Sequence, residues 1–112
     1  MKRFCYALDL VDDEQLIQEY IEYHNNVWPE IQKSILDSDI QSMEIYCVSN
    51  RLFMVTDVDQ DFSLDKRASN DGNNKKVQEW EELMWKYQKA LPIAKKDEKW
   101  VLMNKIYHLQ KE

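Results

Sequence analysis

Ile40-Gln-Ser-Met-Glu-Ile-Tyr-Cys-Val48 and Leu52-Phe-Met-Val-Thr-Asp-Val58 are two runs rich in β-branched and aromatic residues. Only Ser49, Asn50 and Arg51 lie between them. Strands this close in sequence pair antiparallel, because a parallel pair needs a crossover of about a dozen residues or more. The turn contains no glycine, but asparagine tolerates a positive φ, so Asn50 supports a tight hairpin. Alternation puts Ser42, Glu44, Tyr46 and Val48 on one face of the first strand, and Met43, Ile45 and Cys47 on the other.

The segments on either side of the hairpin each supply one strand and one helix. Arg3 to Leu10 alternates, with Phe4, Tyr6, Leu8 and Leu10 on one face and Cys5, Ala7 and Asp9 on the other. Asp12 or Asp13 can cap the helix that follows, and Gln15 stands third after Asp12 as in a capping box. Ile17, Ile21 and His24 then fall on one side, with Leu16 and Tyr20 beside them. After a break at Asn26 to Pro29, Ile31 and Ile35 carry the stripe to about Asp37. Beyond the hairpin, the polar stretch Asp61 to Asn74 surrounds the only glycine, Gly72, and predicts a short helical turn and a surface loop. Val77, Trp80, Met84, Tyr87 and Leu91 then follow at helical spacing, and Pro92 ends that helix. Trp85 lies about 140° from Trp80 around the helix and so projects off the stripe. Lys95 to Glu98 form a charged connection, and Trp100 to Tyr107 reads as a last strand.

The order strand, helix, strand, strand, helix, strand is the ferredoxin-like split βαβ arrangement, an α+β fold with a four-stranded antiparallel sheet and two helices on one face. A chain of 112 residues predicts one domain over 1–112. Hydrophobic residues make up 44% and aromatic residues 12%, enough for a real core. Both faces of the strands carry apolar residues, and helices on one face leave the other open. A second copy of the chain is the economical cover, giving a homodimer that encloses a pocket.

A net charge of −6 without a basic arm excludes nucleic acid as a partner. Cys5 and Cys47 have no zinc or CxxC spacing and read as small buried hydrophobes in a reducing cytoplasm. The N-terminal apolar run is too short for a signal peptide, and no segment approaches the roughly 20 apolar residues of a membrane span. The expectation is a cytoplasmic protein with no membrane partner.

Chemistry concentrates in Tyr20-Ile-Glu-Tyr-His-Asn-Asn-Val-Trp-Pro-Glu30. Asn25 and Asn26 suit turns, Trp28 is pushed off α geometry by the proline after it, and Pro29 suits the first turn of a new helix. His24 therefore stands at an irregular backbone site, with Tyr20 one turn before it and Trp28 just after. A histidine that merely caps a helix and fills a core corner is the alternative.

The block EY-x3-HN-x2-WPE (Glu19 to Glu30), the strand EIYCV (Glu44 to Val48) and VQEWEELMWKYQKALP (Val77 to Pro92) together resemble the L-rhamnose mutarotase family, which includes relatives acting on L-fucose. The resemblance runs over nearly the whole chain and implies a small dimeric α/β-barrel protein. It also implies His24 as proton donor and Tyr20 and Tyr46 as sugar contacts. Trp80 matches the first of a tryptophan pair lining the sugar site. Glu81 stands where the second tryptophan is expected, and Trp85 could supply the missing ring one turn later.

Mutarotation opens a pyranose by protonating the ring oxygen while the anomeric hydroxyl loses its proton, then recloses it on the other face. It needs an acid and a base, with no metal or other cofactor. Imidazole can exchange a proton in either direction near neutral pH. Indole faces can stack on the apolar side of the sugar and its 6-methyl group. The resemblance favours a 6-deoxy-hexose, L-rhamnose ahead of L-fucose. Two other readings fit the architecture: a dimeric ferredoxin-like monooxygenase or haem-handling protein, and a non-catalytic sugar-binding subunit.

Overall fold

The alternation of Phe4, Tyr6, Leu8 and Leu10 with small or charged residues makes the first strand, β1 (Lys2–Leu10), the centre of the sheet. The structure is a computed structural model that describes residues 2–111. Between β1 and the hairpin run helices α1 (Glu14–Asn25) and α2 (Pro29–Leu36). The hairpin itself is β2 (Ile40–Val48) and β3 (Arg51–Val58). Helices α3 (Leu64–Gly72) and α4 (Lys75–Trp85) follow, then the two-residue strands β4 (Gln88–Lys89) and β5 (Val101–Leu102). β3 pairs antiparallel with β1 from Lys2↔Val58 to Asp9↔Arg51, and with β2 from Ile40↔Val58 to Val48↔Arg51. β4 and β5 share the other edge of β1, through Leu10↔Gln88 and Tyr6↔Leu102. This is the α+β, ferredoxin-like order, with each crossover built from two helices.

The register sorts the side chains. Leu8 and Leu52, each at most 1% exposed, face inward beside Leu10, and Tyr20, Ile31, Val77, Trp80, Met84 and Tyr87 close over them. Ala7, Phe53 and Tyr46 occupy one cross-strand row of the outer face. Arg3–Asp57 and Arg51–Asp9 bracket that face as directly opposed ion pairs, each 2.7 Å at its shorter contact.

Several expectations are corrected. Of the two expected caps of α1 Asp13 is the one used, its carboxylate accepting from the Leu16 amide, but Gln15 forms no capping box and turns to Glu19. Tyr20 rather than Ile21 is the deeply buried residue of α1, since Ile21 is 38% exposed. In the hairpin the positive φ of 53° falls on Ser49, while the Asn50 side chain donates to the Leu10 carbonyl. The polar stretch after the hairpin forms a full helix, because Ser63 accepts from Lys66 N and caps it.

The helix expected to run to Leu91 stops at Trp85. Tyr87 is still core, but it sits on the turn, where its carbonyl accepts from Val11 N at 2.8 Å. The next two residues pair with β1, and that edge hydrogen bonding outweighs the helical spacing of Leu91. The last strand is two residues long, followed by one further bond from Met103 N to Cys5 O. From Met103 on, the side chains through Lys111 are exposed. Neither cysteine is buried: Cys47 is exposed and Cys5 half-buried, and they face opposite sides of the sheet. Among the described residues no helix is long and apolar enough to cross a membrane.

Truncating Leu52 to alanine at a 1% exposed position should cost about 2–5 kcal/mol of unfolding free energy. Ile106→Ala, at a 95% exposed position, should stay within about 0.5 kcal/mol. Urea titrations at one protein concentration make the comparison, and equal losses would contradict this core.

Candidate active site

The break in the first crossover is tied down by hydrogen bonds to its backbone. Asn26 N donates to Tyr23 O, and Trp28 is extended at ψ 135° ahead of Pro29. Its carbonyl accepts from Ile31 N and Gln32 N at 2.9 and 3.2 Å, so α2 starts without a side-chain cap. The Gln32 amide reaches back to Val27 O at 3.2 Å. The last turn of α1, with Tyr20 and His24, is thereby aimed at the inner face of the sheet.

There the helices and the sheet enclose an open cavity of about 930 Å³, a volume in the upper part of the range usual for small-molecule sites. His24, Tyr20, Trp80, Glu81 and Trp85 all line it. The His24 ring is half-buried, and Nδ1 lies 2.8 Å from the Tyr20 carbonyl oxygen. A carbonyl only accepts, so the neutral ring carries its proton on Nδ1 and leaves Nε2 as a free base. Burial pushes the His24 pKa below its usual 6.5, against the smaller opposing effect of the backbone bond. The ring packs against Tyr20 at 4.5 Å between centroids and meets Trp80 edge-on at 5.9 Å.

Tyr20 is 2% exposed, and desolvation pushes its phenol up to about 12. Its oxygen accepts from the Gln88 side-chain amide at 3.1 Å. Trp80 serves both readings at once. It is a core residue with T-shaped contacts to Trp28 at 5.1 Å and Tyr23 at 6.2 Å, and it also faces the cavity.

Glu81 and Trp85 are joined by a residue that the sequence did not single out. Lys99 pairs with the Glu81 carboxylate, donates to the Glu81 carbonyl at 3.2 Å, and sits 4.7 Å above the Trp85 ring. Its side chain is only 11% exposed. One carboxylate oxygen of Glu81 is thus engaged, and Trp85 forms a wall held by a cation–π contact. Lys99 lies just past a charged connection, where nothing in the pattern separates it from surface lysines.

At the other end of the cavity stand Tyr6, Thr56, Arg67 and Asp71. Arg67 and Asp71 approach to 3.4 Å, and desolvation raises the Asp71 carboxyl above its usual range. Thr56 Oγ1, Arg67 Nη1 and Gln88 Oε1 are buried side-chain atoms without a hydrogen-bond partner, and all three residues line this cavity.

Tyr46 is not brought to this group. It lies on the outer face, 53% exposed, with its hydroxyl donating to Glu44 at 3.0 Å. The alternation of β2 carried that signal, since Met43 and Ile45, which do line the cavity, have the opposite parity. His108 is exposed and outside the cavity.

An NMR titration of the His24 ring should give a midpoint below 6.5, the direction set by burial. The folded pKa lies below the unfolded one. The stability linked to this ring is therefore complete above about pH 6.5 and is lost as pH falls through the folded midpoint. A midpoint above 6.5 would mean that the ring is stabilised as imidazolium and is not a free base at rest.

A family model described as L-rhamnose mutarotase matches residues 3–109. An L-fucose mutarotase from Xanthomonas campestris is 40% identical over 111 residues, covering 97% of this chain and 89% of that protein. A UPF0734 protein from Dictyostelium discoideum is 34% identical, covering 96% of this chain and 90% of the other. The crystal structure of an L-rhamnose mutarotase from Formosa agariphila superposes with a TM-score of 0.72 at 19% identity, covering 98% of this chain and 100% of that one. That likeness supports the fold. The match along the chain and the identity to full-length relatives go further: this chain belongs to the L-rhamnose mutarotase family, a family of carbohydrate isomerases.

Proposed function

We propose that this chain interconverts the α and β anomers of a 6-deoxy-L-hexose by acid–base ring opening at His24. The observation that carries the reading is the anchored, half-buried imidazole, with Nδ1 committed to Tyr20 O and Nε2 left as the base in a cavity walled by indoles. Nε2 takes the proton of the anomeric hydroxyl as the bond between C1 and the ring oxygen breaks. The Tyr20 hydroxyl gives its proton to the ring oxygen, leaving an open-chain aldehyde. Rotation about C1–C2 exposes the other carbonyl face, and reclosure runs the same transfers backwards. His24 is then the donor that the family resemblance implies, on the closing half of the cycle. The lowered imidazole pKa suits a base at rest, and the phenol is a weak acid acting only as the ring oxygen gains charge.

L-fucose is the first candidate, which reverses the order given by the resemblance alone. The support is the 40% identity to a protein named for L-fucose. The 19% identity to the rhamnose-named structure bears on fold only. Glu81, tied to Lys99 in place of a second tryptophan, fits a more polar wall that binds hydroxyls.

His24→Asn should keep the fold and lose about 10²–10⁴-fold in enzyme-catalysed anomer exchange, followed by saturation-transfer NMR on L-fucose, L-rhamnose and D-glucose. Retained exchange would move the chemistry to another residue. Fastest exchange of D-glucose would rule out the 6-deoxy preference.

The same reading includes a homodimer in the cytoplasm, covering the outer sheet face. Tyr46 and Val48 there are 53% and 73% exposed beside half-buried Phe53 and Val55. Sedimentation at micromolar concentration should give twice the chain mass of 13.6 kDa. A stable monomer would remove this part.

A further inference from the structure

We infer that Gln88 is a specificity-determining residue, reading one sugar hydroxyl through the free end of its side-chain amide. The inference rests on the mutarotase reading of the cavity.

Gln88 owes its position to the early stop of α4. As part of β4 it pairs with Leu10 at the edge of β1, and this fixes its backbone. The residue is 6% exposed and lines the cavity. Nε2 donates to the Tyr20 hydroxyl at 3.1 Å, and Oε1 is buried without a partner. A buried carbonyl oxygen left unpaired costs about 1–3 kcal/mol, so a ligand hydroxyl arriving there is strongly favoured. The bond from Gln88 also occupies a lone pair of the Tyr20 oxygen and leaves the phenolic proton free for the sugar. The two side chains thus offer an acceptor and a donor side by side, a match for neighbouring oxygens of a pyranose.

L-fucose and L-rhamnose differ in configuration at C2 and C4 and agree at C3. A fixed acceptor that contributes to choosing between them must meet a hydroxyl at C2 or C4. A site built to bond a hydroxyl rejects an analogue lacking it far better than an apolar wall can. The remaining cavity-lining candidates carry this role less well. Glu81 is held by Lys99 and its side chain is 44% exposed, so water competes for its free oxygen, and Arg67 can only donate. Thr56 is cross-strand to Phe4, three inner-face rows from the Leu10↔Gln88 row and hence roughly 20 Å along the sheet.

The test is exchange kinetics on L-fucose and its 2-, 3- and 4-deoxy forms, for wild type and Gln88→Met, a variant of similar length without polar groups. In wild type, loss of the hydroxyl that Gln88 meets should cost on the order of 10- to 100-fold in kcat/KM. In Gln88→Met that one penalty, at C2 or C4, should vanish, the others should persist, and the ratio of L-fucose to L-rhamnose rates should fall. Unchanged penalties, or loss of the C3 penalty alone, would overturn the assignment.

A second measurement needs no variant. The side-chain amide resonances of wild-type Gln88 should shift on titration with L-fucose, and should fail to shift with either the 2-deoxy or the 4-deoxy form. No shift with L-fucose would overturn the assignment. If wild type exchanges none of these sugars, the mutarotase reading fails separately, and the amide titration alone decides whether Gln88 binds a sugar hydroxyl.

Discussion

The whole molecule depends on β1 being paired along both edges. One edge carries the unbroken ladder to β3, and the other is shared by β4, β5 and the Met103 bond. Because successive side chains of a strand point to opposite faces, this one pairing fixes which residues meet the helices. Toward Leu8 and Leu10 the inner face is sealed, with both residues fully buried. Phe4 packs against Phe62, and Tyr6 lines the end of the cavity away from His24. Core and site share this surface, since Tyr20, Trp80 and Met84 belong to both.

The second constraint is the proline break. A continuous helix from Glu14 to Leu36 would run past the edge of so short a sheet. Interrupting it lets α2 fold back against α4, and the aromatic cluster of Tyr23, Trp28 and Trp80 forms where the two meet. The imidazole sits at that joint with one nitrogen tied to the backbone. Its neighbours are rings rather than charges, and for that reason burial dominates its protonation.

Much of this was legible in the chain. Parity along β1 and β2, the hairpin, and the helix break between His24 and Pro29 are local signals, and local rules read them correctly. The failures share a cause. Leu91 keeps helical spacing, yet the chain leaves the helix after Trp85, because an open strand edge competes for the backbone, and spacing alone does not register that competition. The same edge decides how little of Trp100 to Tyr107 pairs. Tyr46 entered the site through the family motif, although its parity already opposed it. Lys99 and Gln88 gave no signal at all, since their importance comes from partners 18 and 68 residues away in sequence.

Gly72 is the only glycine, and it needs no special conformation. The joints that ordinarily call for one are occupied by Asp39, Ser49 and Asp97, at φ of 65°, 53° and 66°. Each holds left-handed backbone at a cost of about 1–2 kcal/mol. The same side chains narrow the unfolded ensemble, which works in the opposite direction. Ser49 lies in the hairpin turn and Asp39 between α2 and β2, both away from the cavity, whereas Asp97, ahead of β5, lines it. Asparagine or glycine at these joints would tune the lifetime of the fold one turn at a time. At Asp39 and Ser49 the chain thus carries a durability dial that is mechanically separate from its cavity.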